Sequence, residues 1–167
     1  MRKILVFLLS IILSICFLFF NSCAKTKSIN LNADELSSKI EECIKLDSGY
    51  YSVSEKYFDY YFKVGGQSIR DSVLEWTVRC ANTQSSENEF GIIKATAKSV
   101  KEAELACQSY IEKRKAAYLD AKAAYSPEEY EKYQNAKVVL YGDTVIYFIL
   151  SKENIDKIEK KLNTLIK

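Results

Sequence analysis

The sequence contains no histidine. Histidine is the commonest general base and metal ligand in proteins, so its absence removes the usual basis for acid–base catalysis and for a metal centre. The chain also lacks a Cys-x-x-Cys pair, a glycine-rich phosphate loop and a Gly-x-Ser-x-Gly turn. We therefore expect no catalytic residue, no metal and no cofactor. Catalysis by carboxylates alone, as in glycosidases, remains an alternative.

The first 22 residues have the layout of a secretory signal. Arg2 and Lys3 precede an apolar run from Ile4 to Phe20 that only Ser10 and Ser14 interrupt, and this region contains no acidic residue. The run is near the lower limit of the roughly 20 residues that a membrane-spanning helix needs. An uncleaved signal anchor is therefore the alternative to a cleaved signal peptide, and both place the following domain outside the cell.

Cys23 is the predicted attachment point. The stretch from Phe20 to Cys23 resembles a bacterial lipobox, in which a small residue, here Ser22, precedes a cysteine that becomes lipid-modified. Phe20 departs from the aliphatic residue that is usual at its position. We predict a lipoprotein signal peptide over 1–22 and a lipid on Cys23 that holds the protein on the outer face of the cell membrane. Two or more acyl chains anchor a protein stably.

The charge of the mature chain is balanced. Without Arg2 and Lys3, the 24 basic residues fall to 22, which equals the number of acidic residues. A neutral domain offers no electrostatic footprint for nucleic acid, so we expect no nucleic-acid partner. The expected partners are the membrane, through the lipid on Cys23, and a protein of the cell envelope.

Residues 23–31 are predicted to form a polar tether, followed by one domain over 32–167. Capping residues and helical spacing predict five helices, and period-two or β-branched runs predict four strands. The helices are expected after Asn32, Ser54, Ser99 (with a capping box to Glu102), Ser126 and Ser151. The strands are expected at Trp76–Cys80, Phe90–Ala95, Val138–Tyr141 and Thr144–Leu150, with a loop at Val64–Ser68.

These elements predict an α+β fold, a two-layer sandwich in which a mainly antiparallel four-stranded sheet of two hairpins is packed by helices. The second hairpin turns at Gly142 and Asp143, a strong two-residue signal. Its strands are apolar on both faces. We expect both faces to be covered; the alternative is an open face for a partner or a structural role in a larger complex.

The segment from Tyr50 to Phe62 holds seven aromatic residues. Packing of a short helix against the sheet is the favoured interpretation. Tyrosine rings are also enriched where proteins meet partners or sugars, so this segment supplies the candidate partner or ligand surface. The residues selected for that surface are Tyr57, Tyr60, Tyr61 and Phe62.

Three cysteines follow Cys23, namely Cys43, Cys80 and Cys107. An odd number at long spacings does not match a disulfide framework. We expect them to act as small buried apolar residues, with one disulfide among them as the alternative.

Several stretches of the second half resemble a family of small Gram-positive lipoproteins that carry the domain of unknown function 4358. These are Asn88–Ala95, the Lys- and Glu-rich helix after it, and Tyr133–Val139. The resemblance covers Val73 to Lys167. It implies a Gram-positive source, an extracytoplasmic lipoprotein and no assigned reaction or catalytic residue. The aromatic segment lies outside the resembling region and is expected to be peculiar to this protein.

The sequence thus predicts a membrane-anchored, non-enzymatic binding or accessory module at the cell envelope. The alternative is a carboxylate-dependent envelope hydrolase, which would need two carboxyl groups about 5 to 9.5 Å apart around a cleft.

Overall fold

The computed structural model describes residues 27–44, 49–82, 86–121 and 126–166. The predicted signal peptide, Cys23 and the first part of the predicted tether lie outside these ranges.

A five-stranded antiparallel sheet forms the centre of the domain, and a two-stranded hairpin lies apart from it. The sheet has the order β1-β4-β5-β7-β6. The strands are β1 Tyr50–Ser52, β2 Lys63–Val64, β3 Gln67–Ser68, β4 Val73–Ala81, β5 Glu89–Ala95, β6 Lys137–Tyr141 and β7 Thr144–Ile149. The α+β class and both predicted antiparallel hairpins, β4–β5 and β6–β7, are confirmed.

The prediction of four strands was wrong because β1 adds a fifth. This strand pairs with β4 through Tyr50 and Ala81, Tyr51 and Cys80, and Ser52 and Arg79. Three residues are too few to produce a visible alternation of apolar and polar side chains. Only the pairing with β4 makes the segment a strand.

The five helices are α1 Ala33–Cys43, α2 Glu55–Tyr61, α3 Val100–Asp120, α4 Pro127–Asn135 and α5 Lys152–Leu165. Asn32 and Glu35 form the predicted capping box at α1, with Glu35 N donating to Asn32 Oδ1 over 2.8 Å. Serine side chains cap α2, α4 and α5 as predicted.

The predicted capping box at Ser99 is not formed, although α3 begins where expected. Ser99 makes no side-chain cap bond; its hydroxyl donates to the carbonyl oxygen of Ser72 over 2.5 Å. The serine therefore ties the start of α3 to the turn before β4.

Helices cover both faces of the sheet, so the domain has three layers and not two. Along β5, Phe90 and Ile92 face a core built with α1 and α5, whereas Ile93 and Ala95 face a second core built with α2, α3 and α4. Every residue of β7 is buried. The prediction that the β6–β7 hairpin is covered on both faces is confirmed for β7, while β6 forms an edge of the sheet.

Two predicted irregular segments are ordered into the fold. Val64–Ser68, expected to be a loop, contains the turn of the β2–β3 hairpin, in which Gly65 and Gly66 adopt φ angles of 59° and 86°. The end of the predicted tether belongs to the domain, because Ile29 is buried and pairs with Ile166.

The three cysteines after Cys23 are free thiols. Cys107 is fully buried, and Cys43 and Cys80 are partly exposed. The alternative of a disulfide among these three does not hold in this structure.

Candidate functional site

A carboxylate lies inside the core that faces α2, α3 and α4. Glu89 opens β5, pairs in register with Cys80 of β4 and Ile149 of β7, and is 1% exposed. Tyr51 pairs with Cys80 in turn, so these side chains form one row across the sheet. A buried charge is costly unless it is paired or hydrogen-bonded. The surroundings of Glu89 therefore determine whether this core is stable.

Tyr147 supplies the hydrogen bond to Glu89. Its hydroxyl donates to Glu89 Oε1 over 2.5 Å, and both groups are buried. The tyrosine ring reaches the carboxylate by crossing Gly91, where a Cβ atom would lie 2.1 Å from Tyr147 Cε1. Glycine at position 91 is required here by space, since its backbone angle is ordinary.

Arg114 of α3 provides the positive charge. Its Nη2 donates to Glu87 Oε2 over 2.8 Å, and its Nε lies 3.7 Å from Glu89 Oε2. Tyr133 of α4 also donates to Glu87 Oε2, over 2.5 Å. We call Glu87, Glu89, Arg114, Tyr133 and Tyr147 the Glu89 cluster. One guanidinium serves two carboxylates, so the cluster carries a formal charge of −1.

The contact between Arg114 and Glu89 is an ion pair without a hydrogen bond. Glu89 Oε2 and Arg114 Nε are buried and neither has a hydrogen-bond partner. The distance of 3.7 Å is longer than a hydrogen bond and short enough for strong attraction in a poorly hydrated interior.

The tyrosines around the cluster are held in their neutral form. Burial, and secondly the negative charge of Glu89, raises the pKa of Tyr57, Tyr110 and Tyr147 above the ordinary value of 10. The hydroxyl groups of Tyr57 and Tyr110 are 2.6 Å apart. At neutral pH these residues are hydrogen-bonding groups, and none of them can act as a base.

The thiol of Cys80 is also kept neutral. Burial first, and the charge of Glu89 second, raises its pKa above the ordinary value of 9. A neutral thiol is a poor nucleophile. Cys80 therefore lacks the activation that a catalytic cysteine requires.

The four residues of the predicted aromatic surface have different positions. Phe62 is fully buried and stacks on Tyr110 with ring centroids 4.5 Å apart, so it cannot form part of a surface. Tyr57 and Tyr61 are half-buried, and Tyr60 is 68% exposed. Tyr51, which was not selected, is 50% exposed.

We call Tyr51, Tyr57, Tyr60 and Tyr61 the tyrosine strip. The ring centroids of Tyr57 and Tyr61 are 4.5 Å apart, and those of Tyr60 and Tyr61 are 4.8 Å apart. Tyr51 lies opposite Cys80 in the sheet, and Cys80 and Tyr57 pack against the same core, so Cys80 connects Tyr51 to the strip. The hydroxyl contact between Tyr57 and Tyr110 connects the strip to the core that contains Glu89.

Two cavities of the domain lie away from the Glu89 cluster. One, of about 490 Å³, is lined by the start of α1 and by Leu74, Glu75 and Trp76 of β4. Glu75 already accepts a hydrogen bond from Ala33 N there, over 2.9 Å. The other, of about 320 Å³, lies between α3 and β6. Neither cavity is lined by Glu87 or Glu89.

The described residues contain neither a group of metal ligands nor a membrane-spanning helix. Within residues 27–44, 49–82, 86–121 and 126–166, no three acidic or cysteine side chains come together as metal ligands. Over the same ranges, no helix is both long and apolar enough to cross a bilayer.

The Glu89 cluster was missed in the sequence, although signals for it are present. Arg114 lies on the stripe of α3 that also carries Cys107 and Tyr110, and Glu89 directly precedes the apolar residues of β5. A charged residue on an otherwise buried stripe predicts a partner of opposite charge. The partner itself could not be identified, because Glu89 and Arg114 are far apart in the chain.

A family model described as Domain of unknown function (DUF4358) matches residues 49–150. No curated protein and no solved structure matches the chain. The match includes the aromatic segment and β1, so the expectation that this segment is peculiar to the protein was wrong. Helices α1 and α5 lie outside the matched residues.

Proposed function

The chain belongs to the family defined by the domain of unknown function DUF4358, and for this member we propose the role of a lipid-anchored binding module at a Gram-positive cell envelope. The module is non-enzymatic. It is held on the outer face of the cell membrane through Cys23 and contacts an envelope protein through the tyrosine strip.

The observation that carries the binding role is the exposure of Tyr60 and Tyr51, at 68% and 50%. Exposed tyrosines offer flat apolar rings with a polar tip, a combination that is enriched in protein interfaces. Lys63 Nζ lies 5.3 Å from the centroid of the Tyr60 ring, which adds a positive charge beside the strip. These groups suit a partner surface that offers both apolar and acidic contacts.

The core beneath the strip supports this role because it fixes the half-buried rings. Tyr61 packs edge-on against Tyr110 with centroids 5.8 Å apart, and Tyr57 meets the same residue through its hydroxyl. Rings that are already ordered lose little freedom on binding. The strip is thus preorganised for contact.

The arrangement of the acidic residues favours binding over hydrolysis. Glu87 and Glu89 share the guanidinium of Arg114, and Tyr133 and Tyr147 donate a hydrogen bond to one oxygen of each. A glycosidase pair instead flanks a cleft that admits the substrate.

The binding role is tested by site-specific crosslinking in living cells. A photoreactive phenylalanine analogue replaces Tyr60 in one strain and Leu140, which is 46% exposed on β6, in a control strain. One recurrent envelope protein joined to position 60 and not to position 140 is the expected result. Equal crosslinking from both positions, or none from position 60, would contradict the proposal.

The anchor is tested separately with the variant Cys23→Ala. The unchanged protein should incorporate a labelled fatty acid and sediment with membranes, and the variant should lose the label. The uncleaved signal anchor would be supported by a different result. In that case the unchanged protein takes up no label, and the variant still sediments with membranes.

A further inference from the structure

We propose that the domain stands end-on at the membrane, with the β6–β7 turn facing the bilayer and the Glu89 cluster facing away from it. This orientation rests on the proposed attachment at the N-terminus, and it holds for both the lipid and the signal-anchor form of that attachment.

The N-terminal segment joins the domain at the end that carries the β6–β7 turn. A Cβ atom on Gly142 would lie 3.1 Å from Ser28 Cβ and 3.7 Å from the carbonyl oxygen of Lys27, so this segment crosses the turn closely. The next residue, Ile29, is buried and pairs with Ile166. The attachment point of the domain is therefore fixed by packing.

The Glu89 cluster lies at the opposite end of the sheet. β5 begins at Glu89 and ends at Ala95, whose backbone N–H donates to the carbonyl oxygen of Asp143 in the turn. The strand therefore separates Glu89 from the turn by about 20 Å. Helix α3 starts beside the turn end, after Thr96. Its 21 residues extend about 30 Å towards the end that carries Glu89.

The covalent chain limits how far the attached end can be from the bilayer. Ile29 follows Cys23 by six positions, and such a length of chain spans at most about 20 Å in any conformation. The turn end is thus always close to the membrane. The end with Glu89 can approach the membrane only if the domain lies on its side.

The helices next to the attachment point do not favour a domain lying on its side. The exposed residues of α5 are all polar, so this helix has no apolar side chain to insert into the bilayer. The exposed residues of α1 include Asp34, Glu35 and Glu42, which an anionic membrane surface repels. At the turn end, exposed Lys27 and Lys98 accompany exposed Asp143, so its charge permits close approach.

The orientation is tested by quenching from the lipid surface. A fluorophore is attached through a clickable amino acid at one of two positions. Position 98 lies near the turn end, and position 152 follows β7 at the Glu89 end. The native lysines at both positions are exposed. The full-length protein, purified from membranes, is placed in vesicles that carry nitroxide groups on their lipid headgroups. The label at position 98 should be quenched several-fold more strongly than the label at position 152.

Equal quenching at the two positions, or stronger quenching at position 152, would overturn the orientation. The failure of the anchor is recognised independently, because vesicle flotation and fatty-acid labelling report the attachment. A protein that floats without a fatty acid still tests the orientation through its signal anchor. A protein that does not float at all overturns both proposals.

Discussion

The hydroxyl of Tyr147 donates a hydrogen bond of 2.5 Å to Glu89 Oε1 in a part of the core where neither residue is accessible to solvent. Tyr147 reaches the carboxylate by crossing Gly91 on the neighbouring strand. Arg114 approaches the other carboxylate oxygen from α3. The stability of the domain therefore depends on a charge that three separate elements hold in place.

Replacement of Gly91 by alanine should destabilise the domain by about 2 to 4 kcal/mol. The added methyl group would lie 2.1 Å from a ring carbon of Tyr147. Overpacking of a core costs about 1 to 3 kcal/mol, and displacement of the ring also weakens the hydrogen bond to Glu89. The free energy of unfolding in urea measures the effect. The same substitution is also measured in the variant Tyr147→Leu. There Gly91→Ala should lower the free energy of unfolding by less, because the ring is gone. An undiminished penalty there would mean that the clash is not with Tyr147.

The variant Tyr147→Phe should lower the free energy of unfolding by about 1.5 to 3 kcal/mol, as expected for a hydrogen bond to a charged group. The ring and its packing remain, so only the donor to Glu89 is lost. Tyr60→Phe is the control: its ring is 68% exposed, and its hydroxyl should contribute less than about 0.5 kcal/mol. Equal effects of the two substitutions would show that the hydrogen bond to Glu89 contributes no more to the free energy of unfolding than an exposed hydroxyl does.

The variant Arg114→Met should lower the free energy of unfolding by about 2 to 3 kcal/mol at neutral pH. Breaking a fully buried ion pair costs about 3 to 5 kcal/mol, and the side chain of Arg114 is about one-third exposed, so the effect should be smaller. The loss arises because Glu87 and Glu89 then have no guanidinium beside them. The additional change Glu89→Gln removes that charge and should restore part of the stability. A double variant less stable than Arg114→Met alone would contradict the pairing.

The stability should fall as the pH rises above 10. In the folded protein the pKa of Tyr57, Tyr110 and Tyr147 is raised above 10 by burial and by Glu89, whereas the unfolded chain loses these protons near pH 10. A raised pKa in the folded state gives stability that is complete below the unfolded value and is lost above it. Each such tyrosine contributes up to about 1.4 kcal/mol per pH unit. Denaturation curves between pH 7 and 11 measure the slope, which the triple change to phenylalanine should reduce; an unchanged slope would place the titration elsewhere.

Local sequence signals predicted most of the elements correctly. Asn32 with Glu35, and the serines before α2, α4 and α5, marked helix starts because a cap involves residues only three positions apart. Gly142 marked the turn of the β6–β7 hairpin because its φ of 63° suits glycine. The capping box predicted at Ser99 is not formed, because its hydroxyl donates to the carbonyl oxygen of Ser72, 27 residues away, and not to its own helix.

The candidate site was predicted only in part. The density of tyrosines in one segment made Tyr57, Tyr60, Tyr61 and Phe62 surface candidates, but composition could not show that Phe62 points into the core. Tyr51 and the Glu89 cluster were missed for a related reason. The exposure of a ring and the pairing of two charges depend on what lies opposite them in space.

The sequence by itself determined the N-terminal signal pattern, the helix caps, the hairpin turn and the alternation that builds the strands, because each of these depends on neighbours within a few residues. Only the tertiary structure decided that β1 extends the sheet, that helices cover both of its faces, and that Glu89 meets Arg114 and Tyr147. The two contacts of Glu89 join residues that are 25 and 58 positions apart in the chain. Their energy arises from burial and charge pairing that exist only once the layers have come together.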